Sequence, residues 1–264
     1  MTPFRSALRY HSHHAMGIAL AVQLTQAGMA HVPAGTYVPL YGSEPGQSVK
    51  VAAFQLDRNT VTRRDYLGFV RANPDWQRGR IRAVFADAGY LEEWRGPLDA
   101  GDVADLDRPV TSVSWFAARA YCESKGKRLP TVDEWEYAAA ASEHLRDATR
   151  DPAFVRRLLD LYSARAANPN PDPKAGFRNV YGIERLHGSV WEWTEDFNSV
   201  LVSGDSREAG GTSRHTDFRA VCASGAIGAS DPENYAAFLR FAFRAALNGR
   251  SDVRALGFRC AANA

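Results

Sequence analysis

The sequence predicts one irregular α+β domain rich in long loops. Three observations lead there. Capped helical patterns follow one another between Ser114 and Ala141. Short alternating apolar stretches flank them on both sides. Polar, turn-rich segments fill the rest, with no internal repeat and no clear interdomain linker. A chain of 264 residues suits one large domain or two small ones, and its 45% apolar content, with 6 Trp, 10 Tyr and 13 Phe, is enough to bury a core.

Taken in order, HVPAGTYVPLY from His31 reads as a strand with a turn and alternating apolar residues. VKVAAFQLDRNTVT continues as strand, with Val49, Val51, Phe54 and Leu56 as its apolar positions. Thr62 and Asp65 have capping-box spacing, and Tyr66, Phe69 and Val70 then share one helical face. Asn73-Pro74 ends that helix, because the residue before proline avoids the helical region. Residues 75–110 read as a polar excursion anchored by Trp76, Phe85, Tyr90 and Trp94. Ser114 caps WFAARAYCESK, which Gly126 closes, and Thr131 with Glu134 caps EWEYAAAA. Residues 142–175 are charged and include a helix around Phe154–Tyr162. From Asn179 onward the pattern is short strands, aromatics and glycine turns, with 210–211 and 223–229 as loops. Loops this long are functional or pinned by bonds and ions.

The charges are interleaved, 32 basic against 30 acidic for a net +2, and the longest basic stretch is the short Arg78–Arg82. This footprint argues against a nucleic-acid partner. The N-terminus differs from the rest. Arg5, Arg9 and three histidines precede a short apolar run from Ala15 to Leu24, and QAGMA follows with small residues. That is the layout of a secretory signal peptide over residues 1–30, with a mature domain over 31–264; a mobile extension or a misassigned start is the alternative. The run is too short to span a bilayer, and no other segment is a membrane helix candidate, so no span is expected once the leader is removed. A periplasmic or secreted location follows. Three cysteines, an odd number, then imply one disulfide and one free thiol.

Four stretches carry a family resemblance: HVPAGTY, PVTSVSWFAARAYCESKGKRLPTVDEWEYAA at 109–139, GIERLHGSVWEWTEDF at 182–197, and LRFAFRAALNGRSDVRALGFRCA at 239–261. In this order the chain resembles the formylglycine-generating-enzyme, or sulfatase-modifying-factor, family. The resemblance implies a C-type-lectin-like fold. It also implies an oxidoreductase that converts a cysteine of a substrate protein to formylglycine, using oxygen and a copper ion held by two thiolates. A second branch, the sulfoxide synthases, holds iron with three histidines; no His-x3-His-x-Glu pattern is present here. The YAAFxRxAFR core at 235–244 resembles a sub-group associated with denitrification and copper-protein functions.

The resemblance pairs Cys122 with Cys260 as a disulfide clamping the C-terminal strand to a core helix. Buried free thiols are the alternative. Aligned on Arg240 and Arg244, the two thiolate positions fall near Asp231 and Ala236, and neither is Cys. Cys222 is left as the catalytic candidate. It either binds copper, a soft-ligand metal, with help from His187 or His215, or is a small buried residue. Gly188-Ser-Val-Trp-Glu-Trp193 matches a calcium loop of the family, with Gly188, Val190 and Glu192 as ligand candidates. The position of a further Asn or Asp ligand is Arg185, so either the site is lost or the guanidinium replaces the ion by pairing with Glu192. Trp191 and Trp193 alternate across a strand, at least one of them in the core. Arg240 and Arg244 line a cleft or brace loops through carboxylates, for which Glu195-Asp196 is one source and a solvated turn the competing reading.

Two functions remain open. One is a periplasmic metal-dependent, copper-using oxidoreductase or modifying enzyme acting on a partner protein or peptide. The other is a non-catalytic binding or maturation module for an exported copper or denitrification protein.

Overall fold

A computed structural model describes residues 28–39, 47–168, 172–198 and 232–264 of the chain. The first strands are Met29–Val32 (β1) and Gly35–Tyr37 (β2). Pro33 lies between them, so the single strand expected from HVPAGTY is two; proline has no N–H to give a ladder. β1 pairs antiparallel with Phe54–Asp57 (β4), Val32 opposite Phe54 and Met29 opposite Asp57, while β2 pairs with Val49–Val51 (β3). β4 takes Ala261–Asn263 (β7) on its other edge, giving the order β1-β4-β7. Both ends of the described domain thus meet on one strand. Met29 and Ala30, which the sequence reading assigns to the leader, are strand residues exposed only 5% and 0%. The folded domain therefore includes residues before His31.

The capping signals predict the helix starts. In Arg63–Ala72 (α1) the Thr62 hydroxyl accepts from the Asp65 N–H and the Asp65 carboxylate accepts from the Thr62 N–H. Ser114 accepts from the Ala117 N–H at the start of Trp115–Ser124 (α2), and Gly126, at φ +67°, supplies the left-handed turn that stops it. Thr131 and Glu134 cap Val132–Ala139 (α3) reciprocally. Asp151 caps Pro152–Ala167 (α4), which contains the expected Phe154–Tyr162 helix.

One element departs from expectation. Residues Pro232–Ala245 form a helix (α5) where the sequence reads as short strands and turns. Its aromatic-rich run has strand propensity, but burial against α4 decides the outcome. Ala236 packs there with Phe154, Leu158 and Tyr162.

The core falls into three groups. The sheet side buries Val32, Phe54 and Leu56 against Trp135, Ile183 and Leu186. The largest group joins α1 and α2 to Trp193 and Phe258. It encloses a disulfide between Cys122 and Cys260, 138 residues apart with Cα atoms 5.6 Å from each other. Closing so long a loop stabilises by about 4–5 kcal/mol in the chain-entropy model. The excursion over 75–110 is pinned to this group: Tyr66 donates to the Tyr90 hydroxyl at 2.6 Å, and Tyr90 donates to the Trp76 carbonyl at 2.9 Å. Among the described residues no helix is long and apolar enough to cross a membrane.

Candidate functional site

The site grows from a two-residue strand, Trp191–Glu192 (β5), paired in parallel with Leu256–Gly257 (β6). Successive side chains on a strand face opposite ways. Glu192 turns into the core and Trp191 toward α4 and α5.

Glu192 meets Arg259, just beyond β6. Arg259 Nε donates to Oε2 and Nη2 to Oε1, both at 2.8 Å, and both side chains are 0% exposed. Trp135 Nε1 donates to the same Oε2 at 2.8 Å. The rest of the Arg259 fork reaches the carbonyls of Asp57, Arg58 and Glu184. Burial of such a pair requires this degree of satisfaction.

The expected Arg185–Glu192 pair is therefore corrected. Arg185 donates instead to Asn59 Oδ1 at 2.9 Å. Its backbone sits at φ +54°, a left-handed conformation that Asn or Asp adopts more readily. The resemblance puts Arg185 at the ligand position, but the parallel pairing of β5 and β6 delivers Arg259. As a calcium ligand Glu192 does not fit: both oxygens are engaged by cationic or N–H donors. Gly188 and Val190 would supply only neutral backbone carbonyls to a cation there.

A second ion cluster braces α5. Glu136, on α3, receives Arg240 through Nε at 3.0 Å and Nη2 at 2.7 Å, and Arg244 through Nη1 at 2.6 Å. Burial alone would raise the Glu136 carboxyl, but the two guanidinia hold it down at about 2. Burial also opposes the charge on Arg240, and Glu136 more than offsets that. The bracing reading of Arg240 and Arg244 thus describes their contacts, with Glu136 as the carboxylate in place of Glu195-Asp196. Those two lie elsewhere: Glu195 is 3.7 Å from Arg119, and Asp196 accepts from the Val132 N–H at 2.7 Å.

The cluster continues into a hydrogen-bond chain. Arg240 Nη1 donates to the Tyr162 hydroxyl at 3.3 Å, which lies 2.8 Å from His187 Nδ1. His187 Nε2 is 2.9 Å from the Ala139 carbonyl. A carbonyl only accepts, so Nε2 carries the proton and Tyr162 donates to Nδ1. Burial, with Arg240 nearby, pushes the His187 imidazole down to about 3. His187 is therefore a neutral core histidine with both nitrogens engaged, which corrects its assignment as a copper ligand. Gly176 makes room for it: a Cβ there would lie 2.3 Å from the His187 carbonyl.

Trp191, half-buried, stacks on Phe243 at 4.5 Å and on Tyr162 at 5.4 Å. The Arg165 guanidinium covers its ring, 4.6 Å from the centroid. Trp193 is fully buried and donates to the Val113 carbonyl at 2.8 Å. One tryptophan is thus core and the other lies at the junction of α4, β5 and α5.

Cys222, His215 and Asp231 lie outside the described residues. Ala236, the other aligned thiolate position, is 3% exposed inside the α4–α5 contact. The chain has three cysteines and the disulfide uses two. One thiol remains, so the residues do not fit a two-thiolate copper centre within one chain. Among the described residues no group of three or more His, Cys, Asp or Glu converges. Sequence reasoning missed Glu136, Tyr162, Arg165 and Arg259 as members of the site. Only Arg259, inside the GFRC motif, carried a local signal.

The order of capped helices, Trp-Glu-Trp strand and closing Phe-Arg-Cys strand runs through the whole chain, and a protein built this way falls into a recognised class. Residues 18–264 match the sulfatase-modifying factor enzyme 1-like domain, and the chain belongs to that family. It is 28% identical over 283 residues to the formylglycine-generating enzyme of Streptomyces coelicolor, covering 90% of each chain. It is 30% identical over 191 residues to the inactive Cα-formylglycine-generating enzyme 2 of Bos taurus, covering 58% of this chain and 63% of that one. With the hercynine oxygenase of Mycobacterium tuberculosis it shares 29% over 171 residues, 59% of this chain and 40% of the other.

Proposed function

We propose that the protein is an exported member of the family that engages a partner protein as a binding or maturation module and does not itself run two-thiolate copper chemistry. The cysteine inventory carries this reading: two of three cysteines are consumed in the Cys122–Cys260 disulfide, and Ala236 occupies one aligned thiolate position. Similarity to a relative named as inactive supports it. The leader layout and the disulfide, a bond that persists in oxidising compartments, support export to the periplasm. A C-type-lectin-like arrangement would present a loop-built cleft to the partner, and the YAAFxRxAFR resemblance directs the search to exported copper or denitrification proteins.

A second reading is a copper-dependent modifying oxidoreductase centred on Cys222. The similarity to the Streptomyces coelicolor enzyme, over 90% of both chains, favours it. The two separate in one experiment. Purified full-length protein and its Cys222→Ala variant are titrated with Cu(I) against a competing chelator, then incubated aerobically with a cysteine-containing peptide and followed by mass spectrometry. The module reading expects no tight Cu(I) binding, no converted cysteine, and partner binding unchanged by Cys222→Ala. Conversion of the peptide cysteine to formylglycine would sink it.

A further inference from the structure

The interior around Trp191 holds more cation than anion. Arg165, Arg240, Arg244 and Arg259 are all at most 9% exposed. Glu136 is taken by Arg240 and Arg244, and Glu192 by Arg259 and Trp135. Arg165 is left over. It is 7% exposed, and its Nε and Nη2 are buried without a hydrogen-bond partner among the described residues. Its neighbours are aromatic: Cζ lies 4.6 Å from the Trp191 ring centre and 5.8 Å from that of Tyr162. Burial depresses its pKa, and none of the described carboxylates hydrogen-bonds it in return.

The identity of the two unpartnered atoms matters. Nε and Nη2 form one edge of the guanidinium, a pair of parallel donors matched to the two oxygens of a carboxylate. Arg259 grips Glu192 by this same edge, and Arg240 grips Glu136 by it. Among the described residues this edge meets a carboxylate in Arg259 and Arg240, whereas in Arg165 both of its nitrogens are buried and unpartnered. A buried charge whose donors go unpaired is unfavourable, which is why native interiors satisfy them.

We propose that Arg165 is the receptor for a carboxylate-bearing ligand, which docks side-on against Nε and Nη2 beside the ring of Trp191. Trp191, which forms one wall of this position, is itself only half-buried. The guanidinium already lies over the Trp191 ring before the ligand arrives, so little side-chain entropy is lost on binding. No bond is made or broken. The site binds its anion whether or not the protein modifies a partner, so this proposal and the proposed function fail separately.

The test uses the full chain, labelled with 15N, and reads the arginine Nε–H resonances during titration with sodium acetate. The Arg165 resonance is identified by its loss in Arg165→Lys, or by its contacts with the Trp191 ring should that variant not fold. It is expected to shift saturably with acetate and to stay still with acetamide or with sodium chloride at equal ionic strength. Arg165→Lys keeps the charge but loses the fork, and its acetate affinity, followed through the Trp191 indole resonance, should fall about tenfold. Three results overturn the proposal: no shift with acetate, an equal shift with acetamide or chloride, or a response to inorganic phosphate alone.

Discussion

At Glu192 both carboxylate oxygens are engaged by Arg259 and Trp135, out of contact with water. Such a pair contributes little compared with a well-packed apolar replacement, yet breaking it strands the remaining charge. Glu192→Gln should therefore destabilise the protein by about 3–5 kcal/mol in urea unfolding. Arg185→Ala should change stability by less than about 1 kcal/mol, since Arg185 reaches only Asn59 in the surface layer. Equal losses in the two variants would mean that Arg185, not Arg259, neutralises Glu192. The residue identities in this loop were legible, but the pairing was not. Arg185 and Arg259 are both arginines available in sequence, and only the strand partner of Glu192 selects between them.

At the scale of elements, α5 is held to α3 by one carboxylate. Glu136 binds two arginines one helical turn apart on α5, and Arg240 extends the brace to Tyr162 on α4. Glu136→Gln leaves two buried guanidinia with one neutral partner. We expect a loss of about 3 kcal/mol, expressed first as faster amide hydrogen exchange over 235–245 with little change in α1. Uniform acceleration across both helices would contradict this local role. The four-residue spacing of Arg240 and Arg244, with Pro232 ahead of them, was a helix signal in the sequence. The aromatics of the same run have strand propensity, so the local pattern is ambiguous. By contrast the starts of α1, α2 and α3 were legible because capping is a local exchange between residues three apart.

The whole molecule responds to acid through groups that fold into unusual surroundings. His187 ordinarily titrates at 6.5 and is pushed down to about 3 by burial and by Arg240. Below pH 6.5 the unfolded chain takes up a proton that the folded one refuses, so stability falls as pH drops, approaching about 1.4 kcal/mol per pH unit once that difference is one full proton. Glu136, lowered from 4.5 to about 2, acts in the same sense at lower pH: its stabilisation is present above 4.5 and is lost as pH falls toward 2. Asp57, Glu195, Asp196 and Asp252 are raised by burial and act in the opposite sense. The share of the histidine is read by comparing urea midpoints between about pH 7 and 5.5 in the parent protein and in a His187 variant. His187→Gln, which keeps a donor and an acceptor, should flatten that slope; an unchanged slope would assign the acid sensitivity elsewhere.

The sequence by itself determined the α+β class, the capped helices between Thr62 and Ala139 and the family, because each rests on short-range spacing or on motifs that survive without coordinates. It also determined that at most one thiol remains once a disulfide forms. Only the tertiary structure decided which charges meet. Glu192 with Arg259, Glu136 with Arg240 and Arg244, and Tyr162 with His187 are brought together across 67, 104, 108 and 25 residues. Whether a buried guanidinium is satisfied depends on those distant partners. For that reason Arg165, unremarked on a helix in the sequence, is buried with its carboxylate-binding edge unpartnered among the described residues.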